Sequence, residues 1–69
     1  MAKQSLLIRL RDSKNENDIF DYDIHSSRDQ THIYKFFKEL ETEGKISLNM
    51  LQLSDDTHWL KAEGKYLSD

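Results

Sequence analysis

The chain has 69 residues, no cysteine, no proline and a formal net charge of −3, with 36% hydrophobic and 33% charged residues. That length holds one domain with one modest core, and without cysteine no disulfide framework or thiolate metal site reinforces it. Trp59, three Phe and three Tyr set it apart from disordered chains, and the apolar run Leu6, Leu7, Ile8 stops at Arg9, too short for a signal-peptide core or a membrane span, so a cytoplasmic location and no membrane partner are expected.

Two readings compete over residues 4–25. Leu6, Ile8 and Leu10 alternate with Leu7, Arg9 and Arg11, and Phe20, Tyr22 and Ile24 alternate with Asp21, Asp23 and His25; together they would form a hairpin across the polar loop 12–18. Leu6, Leu7 and Leu10 are equally well spaced for a short helix, and the residues around them have good helix propensity.

Residues 27–43 predict the main helix. Ser27 and Gln30 stand three apart, as in a capping box, where each side chain serves the other's backbone amide. Ile33, Phe36, Phe37 and Leu40 follow the i, i+3, i+4, i+7 spacing of a buried stripe, and Gly44 stands where a left-handed C-cap is wanted. Ile46, Leu48 and Met50 then alternate until Leu51 and Leu53 switch phase, which predicts a strand with a bulge near Met50 and Leu51. Residues 54–57 (SDDT) make a turn, His58, Trp59 and Leu60 return as the second strand of a hairpin, and residues 61–69 fit a short helix or a further hairpin around Glu63 and Gly64.

Three phrases occur in an order that resembles the winged helix-turn-helix family of small transcriptional regulators: LLIRLRDS at 6–13, KELETEGKI at 38–46 and LKAEGKYL at 60–67. The second half is also similar to small winged-helix proteins of the YjcQ type, through the EGKI exit of the helix, the SDDTHW turn and the terminal EGKYL. The resemblance implies an α+β, winged-helix-like domain with one main helix (27–43) and a C-terminal β-hairpin, binding DNA as a transcriptional regulator. Residues 17–26 depart from the family, since Asp21, Tyr22, Asp23 and Ile24 read as a strand where it has a middle helix. The alternative architecture is ββαββ, one helix packed on an antiparallel sheet.

With the apolar stripe turned inward, the opposite face of the helix carries Arg28, Thr31, His32, Lys35 and Lys38, and Gln30 joins them as a candidate reader of adenine. Double-stranded DNA is therefore one candidate partner, bound by a homodimer because one short helix offers few base contacts. Lys3, Arg9, Arg11 and Lys14 would add a second basic region if folding brought them beside Arg28 and Lys35. The acidic turn Asp55 and Asp56 opposes this reading, because phosphates repel it where a wing would touch them. A protein partner is the alternative, met through Asp21, Asp23, Asp55, Asp56 and Trp59, as in an accessory or inhibitory protein of a phage or other mobile element. For Trp59 itself, a core anchor under the helix competes with an exposed interface residue.

No HExxH, GxSxG, Gly-rich phosphate loop or calcium loop occurs, and Asp55, Asp56 and His58 fit a turn better than a metal site. No catalytic residue, metal or cofactor is expected.

Overall fold

A computed structural model describes residues 1–68. The elements run α1 (Lys3–Ser13), β1 (Ile19–His25), α2 (Thr31–Thr42), β2 (Ile46–Leu53) and β3 (Trp59–Tyr66), with both helices on one face of a three-stranded antiparallel sheet of order β1-β3-β2. The chain is thus a small α+β domain whose first position is held by a helix. Residues 61–66 continue β3 instead of forming a separate helix or hairpin.

The choice of helix over hairpin for α1 follows from its side chains. Leu6, Leu7 and Leu10 are all buried, whereas Ile8, which a strand would have turned inward with Leu6 and Leu10, is exposed. Loop 14–18 is closed by Asn15, whose Oδ1 accepts hydrogen bonds from the amides of Asn17 (2.9 Å) and Ile19 (3.0 Å), and by an ion pair between Lys14 and Asp18. Asp18 takes φ 65° there, and its carboxyl is held below the usual range by the hydrogen bond and charge of Lys14.

Helix α2 starts four residues later than its sequence suggests. The Gln30 amide donates to Thr57 O (2.8 Å) and the Ser26 amide to His58 O (2.8 Å), so residues 26–30 are bound to the hairpin turn and Ser27 does not cap the helix. Gln30 stands at the N-cap and makes no side-chain cap hydrogen bond, while Asp29, one residue before it, accepts from the Thr31 amide through its Oδ1 at 2.7 Å. Hydrogen bonds from the Thr31 side chain and amide hold the Asp29 carboxyl below its ordinary value. At the other end Gly44 has φ 76°, with Gly44 N–H bonded to Glu41 O and Lys45 N–H to Leu40 O, the paired bonds of a Schellman cap.

Ile33, Phe37 and Leu40 are buried and Phe36 is half-buried. Phe37 lies at the centre, with ring centroids 6.3 Å from Phe20 and 5.2 Å from Tyr22. Leu60, Ala62 and Gly64 of the central strand β3 face this core. β2 pairs with β3 through a register shift between Leu48 and Met50, so the bulge falls at Asn49, slightly before the expected place. Beyond it Leu51 and Leu53 face the helices in place of Met50.

Candidate interaction surfaces

The exposed face of α2 carries His32, Lys35 and Lys38, with Arg28 just before the helix and Thr31 half-buried. Gln30 does not belong to that face. It is buried, its Nε2 donates to Arg28 O at 3.2 Å, and the tether to Thr57 turns it inward, so it is not available to a base edge. Folding does bring Arg9 to this side: Arg9, Arg28 and His32 line one small cleft with Tyr22 and Ile24. The Arg9 guanidinium lies 5.5 Å from the centroid of the Tyr22 ring. Burial pushes the Tyr22 phenol up, against a smaller opposing pull from Arg9. Lys3 and Lys14 point elsewhere, to Glu43 (2.5 Å) and Asp18.

The acidic turn sits beside this cleft because the same bonds that delay α2 hold it there. Asp56 Oδ1 accepts from Ser54 Oγ at 2.5 Å and from the His58 amide at 3.0 Å, which holds its carboxyl below the ordinary value. Asp55 and Asp56 are exposed, and Asp29 lies across the Gln30–Thr57 bond from them.

Trp59 is not a core anchor. The inward phase of β3 belongs to Leu60, Ala62 and Gly64, so Trp59 falls on the open face of the sheet with 39% of its surface exposed. Its indole N–H donates to Asp23 Oδ1 (2.6 Å), and the His25 ring stacks on it at 5.1 Å with the planes 14° apart. Asp21 is exposed on the same face.

A third surface lies at the edge of β2. A cleft of about 650 Å³ wraps that edge, with Tyr34, Leu51 and Leu53 on the helix side and Gln52, Trp59 and Lys61 on the open side. Since β2 pairs only with β3, one row of its backbone groups faces away from the sheet. The first half of this row is covered: Leu48 N–H donates to Glu41 Oε2 at 2.9 Å, and the bulge follows at once. The second half is open. Ser54 N–H points into the hairpin toward Trp59 O, so alternation along the strand turns the N–H and C=O of Leu53 and Leu51 outward. Leu51, Leu53 and Lys61 were not singled out as interface residues by sequence, because nothing local marks which strand of a sheet becomes an edge.

Among the described residues no group of three His, Asp or Glu side chains is placed to hold a metal ion, and no helix is long and apolar enough to cross a membrane. No family model matches the chain, and no curated protein or solved structure matches it significantly.

Proposed function

We propose that this chain is a non-catalytic protein-binding module that takes up an extended segment of a partner alongside β2. The observation that carries it is the unguarded end of the edge. Proteins ordinarily protect exposed strand edges with charges, bulges or covering elements, and here Glu41 and the Asn49 bulge protect one half while Leu51 and Leu53 are left bare. Strand addition draws affinity from main-chain hydrogen bonds and specificity from pockets for alternate side chains. The edge offers both, with apolar walls and the amphipathic Trp59 beside it.

A selection of binders from a random peptide library tests this. Enriched peptides should lose binding to Leu51→Lys and Leu53→Lys, which place a charge at the edge, and keep it with Arg28→Glu. Peptides that bind all three variants alike would refute the reading.

DNA binding is the second reading, favoured by the convergence of Arg9, Arg28 and His32 in one cleft. A gel shift at low salt, lost on Arg9→Glu and Arg28→Glu, would support it. No retention of any duplex at low salt would sink it.

A further inference from the structure

We infer that the segment taken up at the β2 edge is acidic, with carboxylates alternating with apolar side chains, an inference that rests on the strand-addition reading above. A strand laid against Leu51 and Leu53 alternates its own side chains between the two faces of the sheet. On the helix side these meet Tyr34, Leu51 and Leu53, which take apolar groups.

On the open side they meet Gln52, Trp59 and Lys61. None of the residues lining the cleft is acidic, and the Lys61 ammonium has no side-chain partner among the described residues. The one acid at the neighbouring register position, Asp23, already accepts the Trp59 indole N–H. A second cation flanks the other wall, where Lys38 Nζ lies 4.9 Å from the centroid of the Tyr34 ring. Two lysines that make no ion pair among the described residues therefore border an apolar groove, and carboxylates on the incoming strand can pair with both.

The same charges argue against a second copy of this chain as the occupant. Two-fold antiparallel pairing centred on Gln52 would set Leu51 opposite the second copy's Leu53 and satisfy the hydrogen bonds. It would also gather Lys38 and Lys61 of both copies around one groove with no carboxylate among its lining residues. The chain's net charge of −3 opposes an acidic partner at long range, where salt screens it beyond about 8–10 Å, and the nearer carboxylates Asp23 and Glu41 are engaged by the Trp59 indole and the Leu48 amide.

The test titrates the ¹⁵N-labelled protein with two capped heptapeptides, one alternating Glu with Val and the other Lys with Val. The acidic peptide should shift the amides of Leu51 and Leu53 and the Trp59 indole, and bind about tenfold more tightly than the basic one. Its affinity should fall with added salt, and the preference should vanish in the Lys38→Gln/Lys61→Gln double variant. Equal binding of both peptides at Leu51 and Leu53, or a preference that survives the double variant, would overturn the acidic assignment while leaving strand addition standing. Binding by neither peptide, or shifts confined to other residues, would overturn both. Shifts of Leu51 and Leu53 on simple concentration of the protein would make a second copy the occupant and overturn the assignment.

Discussion

Gly64 is the position where a single methyl group should cost the most for its size. It lies in the central strand, buried, facing Leu48 across β2–β3 and Phe20 across β1–β3. A Cβ built there would overlap Ser47 O and come within 3.0 Å of Phe20 Cζ and 3.1 Å of Leu48 Cα. Two of those three atoms are backbone, so relief requires β2 to move away from β3 next to the Asn49 bulge. Overpacking of this kind costs about 1–3 kcal/mol, and a rigid obstacle puts Gly64→Ala toward the upper end. At roughly 4–8 °C per kcal/mol for a domain of this size, the melting temperature should fall by about 10–20 °C. Gly44→Ala supplies the comparison: nothing lies within 4 Å of a Cβ at that site, and only the φ of 76° resists it, a cost of about 1–2 kcal/mol. Thermal unfolding followed by circular dichroism should rank the variants wild type, Gly44→Ala, Gly64→Ala in falling order. Gly64→Ala melting at or above Gly44→Ala would refute the close β2–β3 approach on which the bulge and the open edge both depend.

The relocated start of α2 predicts that Asp29→Ala lowers the melting temperature while Ser27→Ala leaves it unchanged within error; the reverse result would restore the capping box. Asp18, Asp29 and Asp56 all have folded pKa values below their ordinary one, so the stability they contribute is present above that value and is lost as pH falls through the folded pKa. An acid titration of the melting temperature should therefore show a decline below about pH 4 that is shallower in Asp29→Asn and Asp56→Asn; parallel curves would contradict it. Exposed Trp59 should be quenched by iodide or acrylamide in the folded state, and Asp23→Ala should alter its emission. A shielded indole would return it to the core.

The parts of the fold legible in sequence are those set by side-chain spacing. Ile33, Phe37 and Leu40 mark a helix face at a period that no strand shares, Gly44 marks its end, and the phase switch between Met50 and Leu51 marks the bulge to within two residues. Elements decided by distant partners were not legible. Ser27 and Gln30 have the chemistry of a capping box, yet Thr57 O, twenty-seven residues beyond Gln30, claims the amide that would have completed it. Leu6, Leu7, Ile8 and Leu10 fit both periods, and only the burial of Leu7 together with the exposure of Ile8 separates them. Trp59 seemed fit for the core by size alone, but its neighbour Leu60 takes the inward position of β3, and a strand gives each face only alternate residues.

The tether that moved the start of α2 also weighs against the duplex reading. Through Gln30 N–H to Thr57 O and Ser26 N–H to His58 O, the turn bearing Asp55 and Asp56 is held against the end of the domain where Arg28 and His32 emerge. A duplex approaching Arg9, Arg28 and His32 would bring its phosphates toward Asp29, Asp55 and Asp56 as well. Charges closer than the Debye length, near 8 Å at physiological salt, are only partly screened. The three acids therefore offset much of the attraction of two arginines and a histidine, before the net charge of −3 is considered. At the β2 edge the one charged residue lining the cleft is Lys61, with Lys38 over the Tyr34 ring, while the nearby carboxylates Asp23 and Glu41 are engaged by the Trp59 indole and the Leu48 amide. Weakening that tether would loosen the acidic turn from the basic end, so Gln30→Pro, which removes the donor to Thr57 and leaves the Ser26 bond, should strengthen any duplex binding while leaving peptide binding at Leu51 and Leu53 intact. Loss of the peptide contact in a variant that still folds would show that the two ends of the domain are coupled and would refute their independence.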